Sequence, residues 1–162
     1  MTHFIPLTSI CQSYKKCIDY ELINPNIDTT VIFYDFNVLQ SKVDDLHHAF
    51  PPNTVHTSAI KASPLIKVLE KVKQLNLGAE VASEGELFLA QKAGFNNHQI
   101  IFDSPAKTNS ELEFALKNHI HINADSLMEL SRIAELKNLI KSKSPVGLRI
   151  NPQVGTGKIA AT

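Results

Sequence analysis

A lysine closes the apolar run in "HTSAIKASPL", residues 56–65, and a Ser-Pro pair follows it at once. Where a buried strand gives way to a helix, two fates are open to that amine. Walled by apolar side chains, Lys61 would be disfavoured as an ammonium ion and left as a nucleophilic amine for imine chemistry. Reaching past the rim, it would be an ordinary solvated cation. Other residues able to do chemistry stand at or just past the ends of β-rich runs: Glu80, Ser83, Asp103, Asn123 and Arg149. His119 and His121 alternate along a strand pattern and so share a face, a spacing some metal sites use. No cysteine or third histidine joins them in sequence, so no metal site is expected. "GTGK", Gly155 to Lys158, invites a phosphate-loop reading. It fails, because Pro152 stands where that pattern needs glycine and Ile159 where it needs serine or threonine. His47 and His48 fall toward the end of a helix predicted over 37–49, where a cation suits the dipole. Lys107 in "SPAKT" has only a loop or helix-start role.

The elements that must position these residues alternate from residue 30 onward. Short β-rich runs are "TVIFYDF" (30–36), "NTVHTSAI" (53–60), "GAEVA" (78–82), "HQIIFDS" (98–104), "HIHINA" (119–124) and "VGLRIN" (146–151). Helical patterns lie between them; Leu65, Ile66, Val68, Leu69, Val72 and Leu75 recur at helical spacing. Ser63 is expected to cap a helix with Pro64 in its first position. Ser83 with Glu86, Thr108 with Glu111 and Ser126 with Glu129 each match a capping box. Gly78 and Gly94 mark helix ends.

Strands and helices in strict alternation imply a parallel sheet. A doubly wound sheet and a (β/α)8 barrel both fit. The first strand is not followed by the glycine pattern of dinucleotide binding, which removes the main support for the former. The expected fold is α/β, a partial (β/α)8 TIM-type barrel of about five βα units, since a complete barrel takes about 250 residues. On that reading residues 1–29 form an N-terminal segment, residues 30–162 the first part of the barrel, and "VGTGKIAAT" a severed loop. In either architecture ligands bind at the C-terminal ends of the strands.

The composition excludes several classes. Sixteen basic residues balance sixteen acidic ones, so no general pull toward nucleic acid or an anionic membrane is expected. No apolar run reaches the roughly 20 residues that span a bilayer, and the start lacks the pattern of a signal peptide. Cys11 and Cys17, the two cysteines, read as reduced thiols. The expectation is a soluble cytoplasmic chain.

Four blocks carry a family resemblance. "HTSAIKASPL", "LGAEVASEGELFLAQKAGF", "IIFDSPAKTNSELEFAL" and "VGLRINPQV" resemble, in order and spacing over about residues 30 to 155, the fold-type III pyridoxal-phosphate decarboxylases. That family includes diaminopimelate and eukaryotic-type ornithine decarboxylases. The resemblance implies that Lys61 is the lysine linked to pyridoxal 5'-phosphate, which supplies the electron sink. It implies that Glu80 is an acid beside that link, where the family usually has aspartate, and that Glu86 is a second acid near the lysine, although a capping box explains Glu86 equally well. It implies that Arg149 is a cofactor-facing arginine; apolar Val146, Leu148 and Ile150 around it argue against a surface ion pair. Ile60 and Ser63 depart from the valine and asparagine of the family's lysine signature. The implied reaction is decarboxylation of a basic or dibasic amino acid, foremost diaminopimelate to lysine, by a homodimeric parent protein with a small-molecule amino-acid substrate. Ornithine- or arginine-type decarboxylation and a non-catalytic cofactor- or partner-binding protein are the alternatives. The family's ring-stacking histidine, Gly-rich phosphate loop, pyridine-pairing acid and β-domain all lie past Arg149, so these 162 residues alone are expected to be inactive.

Overall fold

The computed structural model describes residues 7–150, with side chains from residue 10. The chain divides into two compact units, residues 1–52 and 53–162. In the first, α1 (Leu7–Asp19) leads through turns around Asn24 to an extended stretch and then to α2 (Phe36–Ala49). Asp35 starts α2 by accepting from the Asn37 and Val38 amides at 2.9 and 3.1 Å. Residues 30–36, expected as strand, form none, and Phe36 already opens α2. Their β propensity is real, but a strand exists only where a neighbour completes its ladder, and the described strands form their ladders only among β1 to β5.

The second unit alternates strictly: β1 (Thr57–Ala59), α3 (Ile66–Gln74), β2 (Gly78–Val81), α4 (Glu84–Lys92), β3 (Ile100–Asp103), α5 (Asn109–Lys117), β4 (His121–Ala124), α6 (Leu127–Ile140) and β5 (Val146–Leu148). Every pairing is parallel and the spatial order is β1-β2-β3-β4-β5. A doubly wound sheet would reverse direction at a switch point; strands laid down in chain order are those of a barrel wall.

Burial alternates with the pleat. Ala79, Val81, Ile100, Phe102, Ile122 and Ala124 are all at most 2% exposed. They form the face on which α4, α5 and α6 pack, against buried Leu87, Ala90, Leu112, Leu116 and Ile133. The other positions, Glu80, Ile101, Asp103, His121 and Asn123, form a half-buried and mostly polar face.

Local chemistry sets the helix ends, with three departures from expectation. Thr108 and Glu111 form a complete capping box. Ser83 and Ser126 cap α4 and α6 by accepting from Glu86 and Glu129 amides, whereas the two glutamates reach one residue further back, to the Ala82 and Asp125 amides. Ser63 does not cap α3: Ile60–Ala62 forms a single 3-10 turn that Ser63 closes with its own amide, so α3 begins after Leu65. Gly94 ends α4 at φ +87° as expected, but Asn76 at φ 60° does that work after α3. Gly78 instead opens β2, where a Cβ would lie 2.6 Å from Gln99 O and 2.9 Å from Thr57 Cγ2. His119 sits at φ 57° in the turn after α5 and so does not share a strand face with His121.

Candidate active site

The polar face is a grid fixed by register. Ala59, Glu80, Ile101 and His121 form one row across β1 to β4. Asp103, Asn123 and Gly147 form the next, one layer nearer the C-terminal ends. In parallel strands, paired residues point to the same side. Lys61 leaves the end of β1 in the 3-10 turn, and its Nζ lies 3.7 Å from Glu80 Oε1. The lysine side chain is 62% exposed and the glutamate 21%. The apolar wall that would have desolvated the amine is therefore not there: Thr57, Ser58 and Ala59 are only half-buried, and Ala62 is exposed.

Arg149 follows β5, donates its amide to Ala124 O at 2.9 Å, and pairs through Nη1 with Asp125 Oδ1 at 3.3 Å. It is exposed, as are Leu148 and Ile150 beside it, at 60% and 78%. Of the apolar surroundings expected of it, Val146 is half-buried and the other two are exposed, and the ion pair meets the guanidinium's charge. Glu86 sits at the start of α4, where its Oε2 accepts from the Ala82 amide at 2.9 Å, so that carboxylate braces the turn after β2. The structure thus brings Lys61 and Glu80 together, gives Glu86 a local task, and puts Arg149 two residues beyond its strand-paired neighbour Gly147, at the same end of the sheet.

Two features of the site escaped sequence reasoning. Lys107 is wholly buried; its Nζ donates to Ser104 O at 2.7 Å, Asn123 O at 2.8 Å and Glu129 Oε2 at 2.9 Å. It ties the ends of β3 and β4 to α6. The sequence signal was slight, since Glu129 already has a capping role and lies far from Lys107 in the chain. Asp103 was visible as a strand-end residue, but not its state: Oδ1 is buried with no hydrogen-bond partner. His121 Nε2 and Asn123 Oδ1 are bonded at 3.0 Å. Among the described residues no group of three His, Cys, Asp or Glu could hold a metal ion. "GTGK" lies outside the described residues.

At Glu111, burial alone would raise the carboxyl's pKa. Hydrogen bonds from the Thr108 amide and hydroxyl and the Glu84 amide, with the charge of Lys107, outweigh it and hold the pKa below the ordinary carboxylate range.

The polar face carries part of what could hold a pyridoxal cofactor: a solvent-reachable amine at the rim, an acid next to it, and a buried carboxylate oxygen without a hydrogen-bond partner. Comparisons with known proteins agree. The family model described as "Pyridoxal-dependent decarboxylase, pyridoxal binding domain" matches residues 37–162. The chain is 35% identical over 139 residues to the L-glutamyl-[BtrI acyl-carrier protein] decarboxylase of Niallia circulans, covering 85% of this chain and 32% of the relative. It is 30% identical over 138 residues to the diaminopimelate decarboxylase of Helicobacter pylori, covering 84% and 34%. The crystal structure of the Helicobacter pylori enzyme complexed with L-lysine superposes with a TM-score of 0.70 at 29% identity, over 80% of this chain and 34% of that one. The chain spans about a third of the length of these relatives.

Proposed function

The chain belongs to the pyridoxal-dependent decarboxylases, through their pyridoxal-binding domain, and from that premise we propose that the whole protein decarboxylates an amino acid with pyridoxal 5'-phosphate held on Lys61. Diaminopimelate, converted to lysine, is the substrate favoured by the likeness to diaminopimelate decarboxylases. The observation that carries the reading is the placement of Lys61 just past the C-terminal end of β1, 3.7 Å from Glu80. When bound, the cofactor supplies the electron sink for loss of carbon dioxide.

The chain's own residues supply the rest. Lys61 Nζ is the amine that would hold the cofactor. Glu80 orients that amine and stabilises its protonated form. Arg149, steadied by Asp125, offers a guanidinium to an anionic group at the same end of the sheet. Glu86 acts indirectly, by fixing the turn that follows Glu80. The remainder of the proposal is a cytoplasmic homodimer whose partner is a small amino acid, not nucleic acid or membrane. Among the described residues no helix is long and apolar enough to cross a membrane.

The similarity to an L-glutamyl-[acyl-carrier protein] decarboxylase favours a second reading, an amino acid presented on a carrier. The test titrates pyridoxal phosphate into the intact protein that carries these residues. An imine absorbance band should form and should vanish in Lys61→Ala; a band that survives the substitution removes Lys61 from the role. Carbon dioxide release from diaminopimelate, ornithine, arginine and carrier-linked glutamate then separates the substrates, and a band without release from any of them leaves the non-catalytic binder.

A further inference from the structure

The roles assigned so far leave Asp103 idle, although its position is the most costly on the polar face. It ends β3 beside Asn123, and its Oδ1 is sealed from water with no donor facing it. A buried acceptor without a partner destabilises a fold, more so when charged. In native structures such a group has a reason: stored strain, a role in the site's chemistry, or a bound water or ion.

The neighbours show why nothing local takes that oxygen. The buried cation close by in the chain, Lys107, lies on the other side of β3: its Nζ is 5.9 Å from the ring centroid of helix-facing Phe102. Its three bonds already go to Ser104 O, Asn123 O and Glu129. Asn123, the cross-strand neighbour of Asp103, has its Oδ1 engaged with His121 Nε2. Gly147, next along the row, brings no side chain, and a Cβ there would overlap Asn123 Oδ1. Lys107 also fixes the strand ends by holding the carbonyls of Ser104 and Asn123, which keeps the backbone beside Asp103 from shifting to relieve it. The result is a carboxylate with one buried oxygen left without a donor, on the same face as Glu80.

We propose that Asp103 is a ligand-binding residue of this site, accepting a hydrogen bond from a cationic N–H donor. The inference rests on the cofactor reading above. Like charge excludes the phosphate or a carboxylate of a ligand from Asp103. The donor is then an N–H of the cofactor ring or the side-chain ammonium of a basic amino acid.

Asp103→Asn keeps the shape and removes the charge; Asp103→Ala removes both. Pyridoxal 5'-phosphate is titrated into the intact wild type and both variants by the imine band. L-lysine and its uncharged analogue L-norleucine are then titrated into the loaded proteins by calorimetry. Both variants should melt cooperatively at or above the wild-type Tm, because neither leaves a carboxylate oxygen buried there without a donor. One binding arm should weaken about tenfold or more, as expected for a lost charged hydrogen bond. Weaker cofactor binding with an unchanged lysine-to-norleucine ratio assigns the donor to the cofactor. Unchanged cofactor binding with loss of the preference for L-lysine assigns it to the substrate. Folded variants with both arms within about twofold of wild type overturn the inference, as does an Asp103→Asn chain that no longer melts cooperatively. A wild type that forms no imine band brings down the cofactor reading and this inference with it, whereas a wild-type band with unaltered variants brings down Asp103 alone.

Discussion

Lys61 and Lys107 carry the same side chain into opposite surroundings. The first is 62% exposed with one long ion pair; the second is fully enclosed with three short hydrogen bonds. Their substitutions should therefore fail in different ways. Lys61→Ala should change stability by no more than about 0.5 kcal/mol, as at an ordinary surface position, while abolishing the imine band. Lys107→Met should leave Glu129 buried and unpaired and cost about 3–5 kcal/mol, read from the shift in urea midpoint. Adding Glu129→Leu should recover much of that loss, because the stranded charge is removed as well. Lys61 was legible because strand, lysine and Ser-Pro lie together in ten residues. Lys107 was not, because what buries it is a glutamate 22 residues away on α6, and no local pattern distinguishes a lysine that folds inward from one that reaches solvent.

The helices show which elements declare themselves. Capping boxes are local, and all three matched in sequence start a helix where they stand. The most complete is Thr108 with Glu111, whose Oε2 accepts from both the Thr108 amide and hydroxyl at 2.8 Å, while Oε1 accepts from Glu84 of the preceding helix at 3.2 Å. Because those bonds hold the folded pKa of Glu111 below its unfolded value, its contribution is present above the unfolded pKa and is lost as pH falls through the folded one. Wild type should therefore melt above Glu111→Gln near neutrality, and the gap should close on acidification below about pH 4, measured as Tm against pH. Residues 30–36 failed as a strand for the opposite reason. A cap is satisfied by its own helix, but a strand's backbone is satisfied only by another strand, and a run of apolar and β-branched residues does not say where that partner is.

At the scale of the whole sheet, alternation gave the parallel class, while the order of strands and their register come only from the structure. Register is enforced by close approach. Gly78 stands between Thr57 and the Gln99 carbonyl with no room for a methyl group, so Gly78→Ala should push β2 away from β1 and β3 and lower stability by about 1–3 kcal/mol, read by thermal melting. The polar face was half legible, since Glu80, Asp103 and Asn123 were picked out as strand ends, but their alignment in rows depends on a register that only the packed chain defines. Strand order carries one more consequence. Each strand pairs with the one just before it in the chain, as Thr57 does with Gly78 and Ala79 with Ile100, so every ladder closes a loop of only about twenty residues at a modest entropic cost. A nascent chain leaving the ribosome can therefore zip this wall together one unit at a time, and the rim that bears Lys61 and Glu80 takes shape as soon as β2 docks on β1.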